Sequence, residues 1–287
     1  MGDFHWPDGV RAAAAITFDV DAESGVLADA PEAASRLSVM THQAYGPRTG
    51  VPRLLRILER RGVRATFFVP GYTAERHPDA VRAIRDAGHE IAHHGYCHEP
   101  VFRATAEEEE RYLLRGLEAL DRVAGVRPVG WRAPWWETTY RTPAILARHG
   151  FRYDSSLMDA DRPYLLAASA EAGAPTLIEI PIQWALDDWE QYAFLPGLTG
   201  SGVIESPAKV LELWTLELEA LVAEGGCFVL TMHPFLSGRA SRATALERLL
   251  ERMAAIPGLW VAAMGEIARH VATLDLPPVV HEPPPVP

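Results

Sequence analysis

Short apolar runs alternate along this chain with segments in which apolar residues recur at helical spacing. The first run, residues 12–18, is almost entirely apolar and ends at Asp19-Val20-Asp21, which is typical of a fully buried strand. Residues 51–61 carry leucines at helical spacing between Pro52 and Gly62, which favours a helix. Further strands are predicted at 63–69, 90–92, 128–131, 151–153, 177–182, 227–232 and 259–262, and further helices at 78–87, 105–125, 142–149, 207–223, 241–255 and 264–272.

Strands that alternate with helices in short succession are the signature of parallel βαβ units, so the pattern predicts an α/β fold. No internal repeat or linker divides the chain, and we expect one catalytic domain over residues 1–276. Residues 277–287 are proline-rich and are expected to be extended or disordered.

Residues 22–50 break the alternation. They are weakly patterned and rich in Ala, Gly and Pro, which indicates a long loop. Loops of this length are uncommon inside a compact domain and are usually functional. The path of this segment should therefore influence what the protein binds.

Composition narrows the possible partners. A net charge of −11 in 287 residues argues against nucleic-acid and anionic-membrane surfaces, which need basic patches. No run approaches the roughly 18 apolar residues of a membrane helix, and the first residues lack the pattern of a signal peptide. The two cysteines make no disulfide framework. We expect a cytoplasmic protein that acts on a small molecule, with neither a nucleic acid nor a membrane as partner.

The segment Glu90–Glu99 concentrates three histidines, a cysteine and two glutamates in ten positions. His94 and His98, with three residues between them, could face one cation from a helix or a tight turn. Gly95 and Pro100 favour a turn at a strand end. A surface loop that is rich in histidine would show the same sequence pattern. This segment alone therefore leaves a metal site and a surface loop equally open.

The positions of seven polar residues favour the metal site. Each of the seven lies at or just beyond the C-terminal end of a predicted strand, the edge at which parallel barrels gather their catalytic groups. These residues are Asp19, Asp21, His94, His98, Arg132, Asp154 and His233.

Four segments in this order resemble the motifs of the polysaccharide deacetylase family (NodB homology, carbohydrate esterase family four). They are Thr17–Asp21, His94–His98, Arg132–Trp135 and Leu230–His233. The resemblance spans roughly residues 10 to 270. It implies a distorted (β/α) barrel of about seven parallel strands that hydrolyses amide bonds with the help of a metal.

Residue by residue, the resemblance implies that Asp21, His94 and His98 hold one divalent metal ion. Zinc is the first choice, and cobalt, nickel or iron would also suit an Asp-His-His set.

The resemblance also assigns the catalytic groups. Asp19 would be the general base, with Arg132 paired to it so that it stays ionised. His233 would be the general acid that protonates the leaving nitrogen. The backbone N–H of Trp135 would help to hold the oxyanion.

The motifs depart from the common family pattern, since Val20 separates the two aspartates, Ala22 replaces a glycine and Trp135 replaces a tyrosine. These departures resemble a cytoplasmic subgroup that includes peptidoglycan deacetylase-like proteins of tetrameric build and cyclic imide hydrolases. Metal-independent allantoinases are close to this subgroup, but all three ligand positions are present here. The subgroup implies a homotetramer, with substrate contacts from Tyr45, Trp136, Asp188 and Trp189.

The leading functional hypothesis is hydrolysis of a non-peptide C–N bond in a small cyclic imide or amide. The alternative with the same chemistry is N-deacetylation of an amino sugar or a peptidoglycan fragment. A hypothesis of another class is an inactive binding module on the same fold, against which the complete set of ligands, base and acid counts.

Overall fold

Strand β1, Ala12–Asp19, is buried along its whole length and pairs with three other strands of the sheet. It pairs in parallel with strand β8, Cys227–Met232, in a register that runs from Ala13 opposite Cys227 to Phe18 opposite Met232. Alternate side chains of β1 enter different hydrophobic clusters, because successive residues of a strand point to opposite faces. Burial on both faces explains the nearly uniform apolar run in the sequence.

The computed structural model describes residues 3–198 and 202–286. These residues form nine strands in one sheet, in the order β6-β7-β5-β4-β3-β2-β1-β8, with β9 also paired to β1. All pairs are parallel except β6 with β7. The remaining strands are β2 Thr66–Val69, β3 Glu90–His93, β4 Gly130–Trp131, β5 Tyr153–Asp154, β6 Tyr164–Ala167, β7 Thr176–Glu179 and β9 Leu259–Val261.

The helices lie between the strands as the sequence pattern predicts, and the single-domain α/β fold with a curled, mostly parallel sheet is confirmed. The limits predicted for the domain and for the tail remain predictions, and they fall partly on residues 1, 2, 199–201 and 287, which lie outside the described residues. The helices are α1 Ser24–Leu27, α2 Leu37–Tyr45, α3 Val51–Arg61, α4 Gly71–Arg76, α5 Pro78–Asp86, α6 Ala106–Ala124, α7 Thr142–Arg148, α8 Trp189–Tyr192, α9 Pro207–Glu224, α10 Ala240–Ala254 and α11 Met264–Val271.

The prediction of a loop over residues 22–50 was wrong. This segment contains α1 and α2, and a π turn, Gly46–Gly50, runs from α2 directly into α3. Its small side chains give almost no hydrophobic periodicity. A helix built from such residues therefore leaves only a weak pattern in the sequence. A Cβ on Gly50 would lie 2.1 Å from the backbone oxygen of Pro234, so this segment packs against the chain that follows β8.

The proline-rich tail contributes to the edge of the sheet. Val279 lies opposite Leu166 of β6 in a parallel bridge. Its backbone N–H donates to the oxygen of Leu165 at 2.7 Å, and its oxygen accepts from the N–H of Ala167 at 2.8 Å. This part of the tail is therefore extended beside β6, and the strand pairing is the part that the sequence did not indicate.

Among the described residues, no helix combines the length and apolar character that crossing a membrane requires.

Candidate active site

The ends of β1, β3 and β8 bring the acidic and imidazole side chains of the predicted site into one cleft. Asp19 is the last residue of β1, and His94 and His233 directly follow β3 and β8. The cleft has a volume of about 100 Å³. Its lining comprises Asp19, Asp21, His94, His98, Trp135, Trp136, Trp184, Asp187, Trp189, Glu190 and His233.

Three of these side chains converge on one point. The Nε2 atom of His94 lies 3.5 Å from Oδ1 of Asp21, and the Nε2 atom of His98 lies 3.6 Å from Oδ2 of the same carboxylate. One donor atom from each residue lies within 4.8 Å of the other two, and all three residues are buried. A carboxylate and two imidazoles in this arrangement can hold a divalent ion and leave further coordination positions open.

The hydrogen bonds around the three residues suit a metal. Asp21 Oδ1 is buried and has no hydrogen-bond partner among the described residues. The Nδ1 atom of His94 lies 2.7 Å from the backbone oxygen of Arg132, which fixes the ring so that Nε2 faces Asp21. Burial lowers the pKa of His98 to about 4, and a neutral imidazole is the form that binds metals.

Local backbone contacts place Asp21 two residues beyond the end of β1. Its backbone oxygen accepts hydrogen bonds from the hydroxyls of Ser24, at 2.6 Å, and Thr73, at 2.7 Å. A Cβ on Gly25 would lie 3.0 Å from the Cβ of Asp21, so glycine leaves room for the carboxylate there. Asp21 and Asp19 can therefore act separately although only Val20 lies between them.

Asp19 is paired with Arg132, as the resemblance implies. The Nη1 atom of Arg132 donates a 2.8 Å hydrogen bond to Asp19 Oδ1, and the arginine is fully buried. Burial alone would raise the pKa of Asp19, but the charge of Arg132, together with neighbouring imidazoles, lowers it below its usual value. The second oxygen, Oδ2, lies 3.8 Å from His94 Nε2 and faces the ligand cluster.

His233 is held by Asp188. Its Nδ1 atom lies 2.7 Å from Asp188 Oδ1, and its Nε2 atom lies 3.5 Å from Asp21 Oδ2. Burial alone would lower the pKa of His233, but the hydrogen bond to Asp188 and the nearby carboxylates raise it well above its usual value. The ring therefore has its Nδ1 bound to a carboxylate and its Nε2 directed into the cleft.

The assignment of Asp188 to substrate binding was wrong. Asp188 is fully buried, and both of its oxygens accept hydrogen bonds from the turn that carries His233. Oδ1 accepts from the backbone N–H of His233, and Oδ2 accepts from the backbone N–H and the hydroxyl of Ser237. Its carboxylate orients the histidine and has no free face for a substrate.

We expect Asp188→Asn to lower kcat by roughly 10²-fold, at the lower end of the loss typical of a missing general acid. The amide nitrogen would face a backbone N–H that now donates to the carboxylate, so the His233 ring would lose its fixed orientation. Steady-state rates and bound metal should be measured together, and metal content should stay unchanged. Ser237→Ala is the matched control, because it keeps both backbone donors and should cost much less. A normal rate in Asp188→Asn would contradict this role.

Four tryptophans wall the cleft. The Trp135 ring lies 5.2 Å from His98 and 6.2 Å from Trp189, and Trp189 lies 5.3 Å from His233. Trp136 stacks on Trp184 at 4.5 Å. Trp135 and Trp136 both have left-handed backbone angles, φ 63° and 57°, which turn the chain sharply after Pro134. The cleft therefore has flat apolar walls around a charged floor.

The structure places some of the other predicted substrate contacts on the cleft and one of them elsewhere. Trp136 and Trp189 line the cleft. Tyr45 is not among the lining residues of the cleft. Its hydroxyl donates to the backbone oxygen of Gly238 at 3.3 Å and accepts a 2.7 Å hydrogen bond from Arg53. Arg239 covers the Tyr45 ring at 3.6 Å, so this side chain is engaged in packing α2 against the segment after His233.

Some lining residues were not assigned to the site from the sequence. Trp184, Asp187 and Glu190 lie around the same turn as Trp189. Their proximity to Trp189 in the chain was the available signal, but nothing in the composition shows which of them face inward.

The remaining groups of the histidine segment do not join the metal cluster. His93 stacks on Trp131 at 4.9 Å and its Nε2 lies 3.0 Å from the backbone oxygen of Leu113, so it stabilises the interior. Cys97 is not part of the cluster of ligand atoms found among the described residues, and burial raises its thiol pKa to about 11.

A larger cavity of about 420 Å³ opens at the opposite end of the strands, near Glu90 and Tyr153. Its lining contains no histidine, cysteine or aspartate. Within the described part of the chain, candidate metal ligands, the Arg132-paired Asp19 and the Asp188-bound His233 meet in the smaller cleft, and we place the candidate active site there.

Comparisons with known proteins bear on the family and the fold of this chain. The family model described as polysaccharide deacetylase matches residues 35–153. A peptidoglycan deacetylase of Helicobacter pylori is 32% identical over 277 residues, which cover 87% of this chain and 92% of the relative. A crystal structure from Mycobacterium smegmatis, named after the polysaccharide deacetylases, is 53% identical with a TM-score of 0.96, over 100% of this chain and 99% of its own. An allantoinase structure is 26% identical with a TM-score of 0.78, over 94% of this chain and 93% of its own.

Proposed function

We propose that this chain, which belongs to the polysaccharide deacetylase family, opens a small cyclic imide or a related cyclic amide. Metal-dependent hydrolysis of amide bonds is the chemistry of the family. The choice of a ring as substrate is our proposal, and the cleft is the observation that carries it. Its volume of about 100 Å³ is well below the roughly 300–1,000 Å³ of pockets for larger ligands.

The tryptophan walls support the same choice. Trp135, Trp136, Trp184 and Trp189 offer flat faces between which a planar ring can lie and from which water is excluded. The likeness to a structure named for allantoin, a small cyclic compound, also supports a ring as substrate.

The metal would be held by Asp21, His94 and His98, and zinc is our choice for this ligand set. When bound, a divalent ion of this kind lowers the pKa of water and polarises a carbonyl group. The unpartnered oxygen of Asp21 and the fixed His94 ring are the features of the chain that support this assignment.

We propose that Asp19 is the general base. It accepts the proton of the attacking water on Oδ2, since Oδ1 is engaged by Arg132. The arginine keeps the carboxylate ionised before the reaction and holds it in one orientation. We propose that the backbone N–H of Trp135, in the left-handed turn after Pro134, helps to hold the developing negative charge on the carbonyl oxygen.

We propose that His233 is the general acid. Nε2 points into the cleft and can deliver its proton to the departing nitrogen, while Asp188 holds Nδ1 and stabilises the protonated ring. Asp19 thus accepts a proton and His233 donates one. Arg132 favours the ionised form of Asp19, and Asp188 favours the protonated form of His233.

The second candidate is N-deacetylation of an amino sugar or a peptidoglycan fragment. The Helicobacter pylori relative, named a peptidoglycan deacetylase, favours it. An inactive binding module would not need the paired base and the oriented acid, so the charge pairs count against it. By family resemblance we also propose a cytoplasmic homotetramer.

A substrate panel tests the proposed function. We expect the zinc-reconstituted protein to hydrolyse simple cyclic imides or hydantoins faster than N-acetylglucosamine or its oligomers. Opening of an imide or hydantoin releases a proton that pH-stat titration can follow. Deacetylation also frees an amine that takes up the proton, so acetate is measured directly for the N-acetyl sugars. If the protein hydrolysed only the N-acetyl sugars, the proposal of a cyclic substrate would be wrong and N-deacetylation would take its place.

His233→Ala should affect the two substrate classes differently. An amide anion is a very poor leaving group and needs the proton, whereas an imide anion is stabilised by its second carbonyl group. We therefore expect the variant to lose more activity on an N-acetyl amide than on an imide, by a further factor of at least about 10. The comparison uses kcat/KM for one substrate of each class. Equal losses on both would mean that His233 positions the substrate and does not donate a proton.

A further inference from the structure

Two acidic side chains lie buried side by side behind the active site. Asp154 is the last residue of β5 and Glu179 the last of β7, and they stand opposite each other in the parallel pairing of these strands. Residues in register on neighbouring strands project to the same face of the sheet. Both side chains are 0% exposed, and neither lines the catalytic cleft.

One oxygen of each carboxyl group is fully engaged by a single turn. Asp154 Oδ1 accepts hydrogen bonds from the backbone N–H of Ser155, at 2.7 Å, and from the hydroxyl of Ser156, at 2.5 Å. Glu179 Oε1 accepts from the backbone N–H groups of Ser156, at 3.0 Å, and Leu157, at 2.9 Å. The two acids together therefore fix the conformation of residues 155–157.

The other two oxygens, Asp154 Oδ2 and Glu179 Oε2, are buried and have no donor among the described residues. If both groups were ionised, two negative charges would lie together in a dry interior, which is very unfavourable. Adjacent buried carboxyl groups resolve this by retaining one proton between them.

The turn that the two acids hold also holds Arg132, the partner of Asp19. The backbone oxygen of Ser155 accepts from Arg132 Nε, and its hydroxyl oxygen accepts from Arg132 Nη2, both at 3.2 Å. The hydroxyl oxygen of Ser156 accepts from the backbone N–H of Ala133 at 2.9 Å. Arg132 in turn contacts Asp19, so a chain of hydrogen bonds leads from the buried acids to the base.

We propose that Asp154 and Glu179 share one proton between Oδ2 and Oε2, and that this singly charged pair is a positioning group that holds Arg132 against Asp19. The pair supplies one negative charge behind the guanidinium, and Asp19 supplies one in front. Arg132 is thereby fixed between two anions, which explains how a fully buried arginine is stabilised without access to water.

The surroundings of the pair agree with a retained proton. Burial raises the pKa of Asp154 to about 7, although Ser156 and Arg132 act against it, and raises that of Glu179 well above its usual value. The other ionisable groups that face the pair are Tyr164 and Asp159, and the carboxylate of Asp159 adds to the rise at Glu179.

Infrared difference spectroscopy at neutral pH tests the shared proton. We expect the wild-type protein to show the C=O stretch of a protonated carboxyl group, and Asp154→Asn and Glu179→Gln each to remove that component. Glu109→Gln is the matched control, since Glu109 is also buried but its carboxylate accepts a 2.7 Å hydrogen bond from Arg141, and this substitution should leave the band unchanged. Absence of the band in the wild type, or its persistence in both amide variants, would overturn the proposal.

Kinetics test the positioning role. Asp154→Ala removes the acceptor for the turn and should lower kcat by about 10²-fold, a loss typical of a misplaced catalytic group, with KM and bound metal little changed. Asp154→Asn keeps Oδ1 and offers its amide N–H to Glu179, so it should restore kcat close to the wild-type value. Equal losses in both variants would refute the positioning role. This arm rests on the proposed function, whereas the infrared arm needs no substrate and stands even if the substrate proposal fails.

Discussion

Replacing His94 or His98 with Ala should remove bound metal and hydrolytic activity together. Each imidazole supplies one of only three protein donor atoms in the cluster, which lie within 4.8 Å of one another. Two remaining donors seldom hold a divalent ion tightly, because structural and catalytic zinc sites use three or four protein ligands. Elemental analysis of the purified variants, alongside turnover of the best substrate, measures both effects.

A matched control separates metal loss from unfolding. His149→Ala removes a histidine that is paired with Glu110 at 2.6 Å on the helical surface, and it should retain metal and activity. Melting temperatures should show that the His94 and His98 variants still fold. Full activity after exhaustive chelation, with no metal detected, would contradict the metal-dependent mechanism.

The sequence predicted the main features of the site because its residues lie next to strand ends. The carboxyl ends of parallel strands meet at one edge of a sheet, so polar residues that follow buried apolar runs must come together. Asp19, Asp21, His94 and His233, which this argument brings to one edge, line the same cleft. Their individual roles remain predictions that the variants described here can test.

The position of Asp188 could not be read in the same way. Asp187-Asp188-Trp189 looks like a turn in the sequence, and three consecutive residues of a turn can point in three directions. The direction is set by β8, because the backbone N–H of Asp188 donates to the backbone oxygen of Thr231 at 3.1 Å. This contact directs the Asp188 carboxylate behind His233 and leaves Trp189 on the cleft. It joins segments more than 40 residues apart, so local sequence does not reveal it.

The helices around Tyr45 were missed for a related reason. Residues 22–50 have little hydrophobic periodicity, since their burial comes from small residues such as Ala33 and Ala44. Gly46 and Gly50 allow close approach to the chain after His233, where added Cβ atoms would meet Phe235 and Pro234. The segment packs beside the site and supports the turn of the proposed acid, and only the three-dimensional arrangement shows this.

The roles of the two aspartates should separate in a pair of isosteric variants. Asp19→Asn should retain the metal, because Asp19 stands outside the ligand cluster, but it removes the group that accepts the proton. Loss of a general base typically lowers the rate by roughly 10²–10⁴-fold. The amide would also leave the Arg132 charge without its 2.8 Å carboxylate partner, which adds a reason for the loss to be large.

Asp21→Asn should instead lower metal occupancy, because an amide offers one neutral oxygen where the carboxylate faces His94 with one oxygen and His98 with the other. Metal content measured over a titration with zinc distinguishes the two variants. Asp19→Asn should saturate with zinc like the wild type and remain slow. Asp21→Asn should need more zinc for saturation and recover part of its activity when zinc is supplied. Each variant thus serves as the control for the other, since both make the same chemical change within three residues of the chain. If Asp19→Asn empties the site while Asp21→Asn stays full, the roles of base and ligand are reversed.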